Sequence, residues 1–280
     1  NDLALPILGH CLVIRIMFIK TISNSKYDTF RQCKLKYRYR YIDRLPESKE
    51  ANTDALHFGS YIHKILEDGV NAKALSELEA LAEEHKSTYS FPDLYNRKTS
   101  LCLANFLKFN ASLGESVATE LVYEAEVKDD ITVNGIIDRV IKGTEGGYLI
   151  IDYKTSKREK TKFDLYQDMQ LQGYCYAINK IYKTPIENIT CAHYYPVTNN
   201  FVFVQYTNAQ IAGYIRKVLD EVWRIRKLKK DDFCASKNEF CNWCGYKPYC
   251  GLFTDQEAVK HNISEAKERK KAKQSAKSKV

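Results

Sequence analysis

The chain has 280 residues, of which 44% are hydrophobic, and it carries a formal net charge of +8. This apolar content is sufficient for a full hydrophobic core, in one large domain or two coupled ones, and it excludes an intrinsically disordered protein. Residues 265–280 hold seven basic and two acidic side chains. The other 264 residues are therefore only +3 (36 basic minus 33 acidic), so any nucleic-acid surface has to be a local patch.

The first sixteen residues are largely apolar and lack a methionine. We interpret residues 1–16 as a leader, as translated upstream sequence or as an expression remnant. Asp2 is the only charge ahead of the apolar run and Arg15 interrupts it, a pattern that fits neither a signal peptide nor a membrane span. Met17 is the expected start of the folded protein.

Ser25 and Asp28 resemble a helix-start box, which predicts a helix that begins at Ser25 and extends through Tyr41. This segment interleaves aromatic and basic side chains. Such a pattern suits phosphate contacts combined with base stacking, and it equally suits ordinary core packing by Phe30, Tyr37 and Tyr41.

A second helix is predicted over residues 54–71, with His63 and Glu67 four residues apart on one face. A single histidine in a helix is ordinarily a packing residue. Residues 73–113 are predicted to form further helices, which we interpret as a helical insertion that walls a groove.

Two strands are predicted over residues 120–128 and 131–142, and a third begins at Tyr148 after a glycine-rich turn. Glu124 or Glu126 on the first of these could reach the end of the neighbouring strands, although acids on an exposed strand need no functional explanation.

Asp138 lies on the second predicted strand, and Asp152 and Lys154 lie on the third. Asp152 and Lys154 share a strand face because side chains alternate with period two. Two carboxylates and one ammonium near a single point indicate a metal site, and hard carboxylate oxygens suit Mg²⁺ or Mn²⁺. A solvated strand edge is the ordinary alternative.

A helix predicted over residues 164–182 places Gln170 and Tyr174 on one face. Strands over residues 190–196 and 201–206 and a long amphipathic helix over residues 208–230 follow. The succession of elements is αβββαβ.

Cys241, Cys244 and Cys250 supply three thiolates within ten residues. Three ligands leave a tetrahedral site one short, so the fourth comes from Cys234 nearby or from Cys33 far upstream. The chain has an odd number of cysteines, nine, and no convincing secretion signal, which disfavours a disulfide framework. We expect a reducing compartment, the cytoplasm or the nucleoid.

Four separated motifs, Gly59-x3-His63, Asp138, Asp152-Tyr153-Lys154 and Gln170-x3-Tyr174, occur in an order that resembles the PD-(D/E)xK nuclease superfamily. The chain is similar to its RecB-like, iron–sulfur exonuclease branch, which includes AddB-type nuclease domains and CRISPR-associated exonucleases. The resemblance covers most of residues 23–254. It implies an α/β fold with a restriction-endonuclease-like core, in which helices flank a central mixed β-sheet. It also implies a helical insertion and a C-terminal iron–sulfur subdomain.

The resemblance also implies roles for the motif residues. Lys154 would orient the attacking water and stabilise the phosphate, and Gln170 and Tyr174 would position that lysine and the DNA backbone. The Mg²⁺ or Mn²⁺ ligands would be His63, Asp138, Asp152 and the Tyr153 backbone carbonyl.

A [4Fe–4S] cluster that staples the two ends of the fold together is a further implication of the resemblance. Its ligands would be Cys33, Cys241, Cys244 and Cys250. Zinc bound to the same four sulfurs is the chemical alternative, because sequence does not separate the two kinds of Cys₄ site.

The expected function is a metal-dependent DNA exonuclease that acts on single-stranded ends in DNA repair, recombination or phage and CRISPR DNA processing, without a membrane partner. No helicase P-loop motif occurs in the sequence, so a helicase or other repair protein would be a separate partner. Two alternatives remain: a catalytically idle nucleic-acid-binding module, and a nuclease subunit of a larger helicase–nuclease complex. The predicted segments are a leader (1–16), an N-terminal helix with the first cluster cysteine (17–50), a helical region with the histidine motif (51–115), the nuclease core (116–232), the cysteine-rich region (233–256) and a basic flexible tail (257–280).

Overall fold

The computed structural model describes residues 19–48, 54–89, 91–143 and 146–277. The expectations for residues 1–16 and for Met17 fall outside this range. No helix among the described residues is long and apolar enough to cross a membrane.

The described residues form one mixed β-sheet with helices on both faces, which confirms the predicted α/β class and the αβββαβ succession. The predicted strands are present, and a short first strand was not anticipated. The strands are β1 (Thr21–Ser23), β2 (Ser116–Lys128), β3 (Ile131–Lys142), β4 (Tyr148–Tyr153), β5 (Ile189–Tyr195) and β6 (Asn200–Gln205).

Strand β3 organises the sheet. Strand β2 pairs with it in antiparallel fashion along one edge, through a turn at Asp129 and Asp130 that both have positive φ (52° and 61°). The other edge of β3 is shared, because β1 pairs in parallel with its beginning and β4 pairs in antiparallel fashion with its end. Strand β5 continues the sheet parallel to β4, and β6 closes it antiparallel to β5.

Helices cover the two faces of the sheet and create two hydrophobic cores. The helices are α1 (Asn24–Gln32), α2 (Lys34–Tyr37), α3 (Asp54–Asp68), α4 (Leu75–Lys86), α5 (Asn96–Ala111), α6 (Lys162–Tyr166), α7 (Met169–Tyr182), α8 (Asn208–Arg226) and α9 (Gln256–Lys277). Helices α1, α7 and α8 supply one core, and helices α3, α4 and α5 supply the other.

The N-terminal helix differs from the prediction in two ways. Its cap is Ser23 and not Ser25, because the Ser23 hydroxyl accepts a hydrogen bond from the Lys26 backbone N–H (3.2 Å), whereas Ser25 lies inside the helix. The helix also breaks at Cys33, whose backbone is extended. The next residues form α2 and a π-helical turn, Arg38–Ile42. The Leu35 N–H bonds the Cys234 carbonyl (3.2 Å), which ties this break to the cysteine-rich region.

The aromatic side chains of this segment mostly serve packing. Phe30 and Tyr37 are buried in the first core, with their rings 5.3 Å apart. Tyr41 is half-buried, and Lys26 and Arg40 lie over its ring. Core packing is therefore the correct interpretation for Phe30 and Tyr37.

The helix predicted over residues 164–182 is two helices, α6 and α7. Asp168 starts α7, because its Oδ1 accepts hydrogen bonds from the Gln170 and Leu171 N–H groups (2.9 and 3.0 Å). An aspartate with extended backbone is a preferred helix cap, so the chain turns at this residue instead of continuing as one helix.

The basic tail is helical where a flexible arm was expected, since α9 extends to Lys277. Alanine, glutamate, glutamine and lysine dominate this segment and are strong helix formers. Ala266 of α9 is buried against a small third core that contains Tyr39 and Tyr249. The beginning of the tail is thus part of the fold.

Candidate active site

Asp138 and Asp152 meet at one end of the β3–β4 pair. Arg139 pairs with Ile151, so continuing the antiparallel register by one residue places Asp138 opposite Asp152. Both side chains are buried. The Asp138 Oδ2 accepts a hydrogen bond from the Tyr153 N–H (2.7 Å), which orients its carboxylate toward β4.

The regular alternation of side chains breaks in both β2 and β3 near Asp138. This break places a third acidic side chain, Glu120, close to Asp138. Ala118 and Leu121 of β2 both contact the first core, as do Ile137 and Val140 of β3, although residues three apart in a regular strand face opposite sides. The side chains between them therefore turn to the other face. Glu120 lies at this kink with φ = 46°, a left-handed conformation that is unusual for a residue other than glycine.

The kink and helix α3 together assemble a compact group of metal-ligand atoms. His63 of α3 lies with its Nδ1 3.3 Å from Asp138 Oδ2. One ligand atom each from His63, Glu120 and Asp138 lie within 4.8 Å of one another. Glu120 was not among the predicted residues. Glu124, which was considered, instead accepts a hydrogen bond from Thr132 (2.9 Å) and pairs with Asn134, well along the strand.

Lys154 is one member of a closed ring of polar contacts that also includes Asp152, Gln170 and Tyr174. Its Nζ lies 2.6 Å from Asp152 Oδ2 and donates to Gln170 Oε1 (3.0 Å). The Gln170 amide donates to the Tyr174 hydroxyl (2.6 Å), and that hydroxyl lies 3.4 Å from Asp152 Oδ1. The ring links β4 to α7, because Gln170 and Tyr174 occupy successive turns of that helix.

Burial and neighbouring charges act in opposite directions on the pKa values of the ring. Burial has the larger effect on Asp152. It raises the pKa of Asp152 to about 6, against the lowering influence of the neighbouring Lys154 ammonium. Burial alone would lower the pKa of Lys154, but the Asp152 carboxylate outweighs it and the pKa of Lys154 is raised. Burial alone would also lower the pKa of His63, but the hydrogen bond to Asp138 and the negative charges of Asp138 and Asp152 together raise it. The site therefore concentrates buried negative charge that a bound cation would stabilise.

His193 is a buried histidine next to Asp152, a member of the ring. His193 of β5 pairs with Asp152 of β4 and is fully buried. Burial and the nearby Lys154 lower the pKa of His193 to about 4, so its imidazole is neutral. Its place in an apolar strand offered no sequence signal, and we did not predict it.

The residues predicted to bind the metal lie in two adjacent groups. Among the described residues, Asp152 is not part of the compact group that holds His63 and Asp138, since its carboxylate pairs with Lys154. The Tyr153 backbone is adjacent to both groups through its N–H bond to Asp138.

The four predicted cluster cysteines line one common cavity. Cys33 of the N-terminal segment faces Cys241, Cys244 and Cys250, which follow α8. Burial raises the pKa of the Cys250 thiol, and the other three sulfurs add to the increase. Cys234, the alternative fourth ligand, is exposed and does not line this cavity.

Comparison with known proteins identifies the class. The sequence profile of the PD-(D/E)XK nuclease superfamily matches residues 21–251. The chain belongs to this superfamily.

Individual proteins are also similar to this chain, two in sequence and one in fold. The chain is 27% identical over 178 residues to an ATP-dependent helicase/deoxyribonuclease subunit of Streptococcus uberis, a match that covers 57% of this chain and 16% of the relative. The same-named protein of Streptococcus mutans is 26% identical over 164 residues, covering 51% and 14%. The chain therefore spans only about a sixth of the length of these relatives. A candidate exonuclease from Eubacterium rectale has a similar fold, with a TM-score of 0.50, 14% identity and coverage of 74% and 81%.

Proposed function

We propose that this nuclease is a divalent-metal-dependent deoxyribonuclease that degrades DNA from single-stranded ends. The observation that most directly supports the nuclease chemistry is the position of Lys154, whose ammonium lies between Gln170 and the buried carboxylate of Asp152. A lysine held in this way is suited to orient a water molecule and to stabilise the charge that develops on a phosphate.

The proposed metal is Mg²⁺ or Mn²⁺. Carboxylate and carbonyl oxygens are the preferred ligands of these ions. The ligands would be Asp138, Asp152, His63 and the Tyr153 carbonyl, and we add Glu120 because it lies with His63 and Asp138. When bound, the ion would act as a Lewis acid toward the scissile phosphate.

Glu120→Gln is expected to weaken Mn²⁺ binding by about tenfold, because it removes one charged ligand from the site without changing its shape. Calorimetric titration of Mn²⁺ in the absence of DNA measures this effect. Glu124→Gln is the matched control, since Glu124 is on the same strand but faces Thr132. Equal affinities for the two variants would remove Glu120 from the ligand set.

Gln170 and Tyr174 would position the lysine. The Gln170 carbonyl accepts from Lys154 while its amide donates to Tyr174, so each group has its partner. This arrangement supports a lysine that is held ready to move from Asp152 to an incoming phosphate once a cation occupies the carboxylate.

We further propose that Cys33, Cys241, Cys244 and Cys250 hold a [4Fe–4S] cluster. Zinc bonds of about 2.3 Å would bring four sulfurs to about 3.8 Å from one another. Within the described part of the chain, no three of these sulfurs lie within 4.8 Å of one another. The four cysteines line one cavity, which supports a shared site for them, and iron and zinc analysis of the purified protein separates a cluster from a single zinc ion.

The relatives support a second proposal about context. Their name describes a helicase/deoxyribonuclease subunit, and this chain spans about a sixth of their length. We therefore propose that the nuclease cooperates with a helicase or another repair or recombination protein. Cys102, Cys175 and Cys191 are buried unpaired thiols, which supports a reducing compartment such as the cytoplasm.

The test is digestion of end-labelled linear single-stranded DNA by anaerobically purified protein, with Mn²⁺, Mg²⁺ or a chelator. We expect release of short products with either ion and none with the chelator. Circular single-stranded DNA is the matched substrate, and it should survive because it has no end. A protein that binds the linear strand but never cuts it would instead be an idle binding module or would need its partner. Cleavage of the circle would make it an endonuclease.

A further inference from the structure

The two ring nitrogens of His193 have different surroundings. Its Nε2 lies 3.7 Å from Asp152 Oδ2 and 3.8 Å from Asp168 Oδ2, and it has no hydrogen-bond partner among the described residues. A buried ring nitrogen without a partner is rare in native proteins and calls for an explanation. Both nearby acceptors are carboxylates a few tenths of an ångström beyond hydrogen-bond distance.

The other side of the ring determines which nitrogen carries the proton. The Tyr195 hydroxyl lies 3.4 Å from His193 Nδ1 and accepts a hydrogen bond from the Lys160 N–H (2.8 Å). Because that bond uses the oxygen as an acceptor, the hydroxyl proton is available to Nδ1. A neutral imidazole that accepts at Nδ1 carries its proton on Nε2, which is then a donor directed at the two carboxylates.

The two carboxylates differ in how firmly they are held. Asp168 Oδ1 caps α7, and its Oδ2 pairs with Lys160 Nζ (2.5 Å). Within the described part of the chain, the Asp152 carboxylate has no such backbone anchor: its Oδ2 is held by Lys154, the residue that has to leave it during the proposed reaction. The Nε2–H donor is therefore most needed by Asp152.

We infer that His193 is a positioning residue for the metal-ligand carboxylate of Asp152. This role rests on the proposed function. When Lys154 turns toward a phosphate and a cation binds Asp152, the His193 Nε2–H donates to Asp152 Oδ2 and keeps the carboxylate in the orientation that binds the ion. Hydrogen-bond partners of metal ligands typically influence metal affinity by about 10- to 100-fold.

A pair of nearly isosteric variants tests the inference, because glutamine retains an N–H donor and methionine does not. On the full chain, His193→Met is expected to weaken Mn²⁺ binding by about 10- to 100-fold and to lower kcat, with the KM for single-stranded DNA unchanged. His193→Gln is expected to recover most of the Mn²⁺ affinity. Thermal melting of both variants verifies that they fold.

Tyr195→Phe is the second variant, since it keeps the aromatic ring and removes only the hydroxyl that directs the His193 proton. It should weaken Mn²⁺ binding in the same direction by a few-fold, and it decides the matter if neither His193 variant folds. Unchanged Mn²⁺ affinity in His193→Met, or in Tyr195→Phe when only that variant folds, overturns the inference.

The outcomes separate this inference from the proposed function. A wild-type protein that binds Mn²⁺ without cutting DNA contradicts the nuclease proposal, while the difference between methionine and glutamine still decides the role of His193. A wild-type protein that cuts DNA, with His193→Met equal to it in Mn²⁺ affinity and kcat, contradicts the role of His193 alone. A wild-type protein that does not bind Mn²⁺ overturns both.

Discussion

Lys154→Ala is expected to lower the rate of DNA cleavage by about three orders of magnitude, because it removes the cation that would stabilise the transition-state phosphate. The Lys154 ammonium lies between Asp152 and Gln170, where it can reach a phosphate that approaches the acidic site. The measurement is single-turnover cleavage of end-labelled single-stranded DNA at saturating Mn²⁺.

The same variant should bind Mn²⁺ at least as well as the wild type. Lys154 Nζ lies 2.6 Å from Asp152 Oδ2 and repels any cation that approaches this carboxylate. A loss of cleavage in Lys154→Ala can therefore not be explained by a loss of metal binding. Lys157→Ala is the matched control, because Lys157 is an exposed lysine three residues along the same segment, and it should retain activity. Cleavage by Lys154→Ala within about tenfold of the control would exclude the proposed role.

Cys33→Ser is expected to cause the second large effect, the loss of the proposed iron–sulfur cluster together with much of the stability. Cys33 is the only proposed ligand on the N-terminal side of the nuclease core, so the cluster would join segments about 200 residues apart. Structural metal binding can contribute about 10 kcal/mol. Losing half of it would lower the melting temperature by about 10–20 °C in a domain of this size.

Iron analysis, visible absorption and thermal melting of anaerobic samples measure this outcome. Cys234→Ser is the matched control: Cys234 is exposed, and its Sγ lies 3.4 Å from the Asp231 carbonyl, away from the cysteine-lined cavity. The control should keep its iron and its melting temperature. Zinc in place of iron in the wild type would remove the cluster and leave the Cys₄ site. Iron retained by Cys33→Ser would show that Cys33 is not a ligand.

The contacts around the cysteine-lined cavity explain why loss of the proposed cluster would destabilise the rest of the fold. The Leu35 N–H bonds the Cys234 carbonyl (3.2 Å), and the Tyr39 hydroxyl donates to the Tyr249 carbonyl (2.8 Å). Tyr39 and Tyr249 belong to a third core that is much smaller than the other two. So small a core buries little apolar surface, and a metal site is the usual means of stabilising such a unit.

Much of the fold could be predicted from local sequence patterns. The alternation of residues 131–142 and the apolar run from Tyr148 predict strands β3 and β4, because period-two patterning is a local property of the chain. The spacing of Gln170 and Tyr174 places both on one helix face for the same reason. Motif order was sufficient to indicate the superfamily, which the profile match over residues 21–251 confirms.

Capping and helix breaks required the structure. Ser23 and Ser25 are both serines near the same helix start, and the choice between them depends on where β1 ends after pairing with β3. Asp168 interrupts a pattern typical of one continuous helix, because its side chain bonds the backbone of the next turn. These decisions rest on a few hydrogen bonds, each worth about 1 kcal/mol, that periodicity does not encode.

The sequence by itself determined the superfamily and the order of the core elements, because these follow from motifs and local periodicity. The same motifs predict Asp138, Asp152, Lys154, Gln170 and Tyr174 as site residues, and the structure brings these side chains together. Only the tertiary structure revealed Glu120 and His193 beside them. Glu120 reaches the site because the side-chain alternation of β2 and β3 breaks beside Asp138, where Glu120 has a positive φ, and His193 reaches it because β5 pairs in parallel with β4. Both depend on strand pairing between residues far apart in the chain, and no local pattern records that pairing.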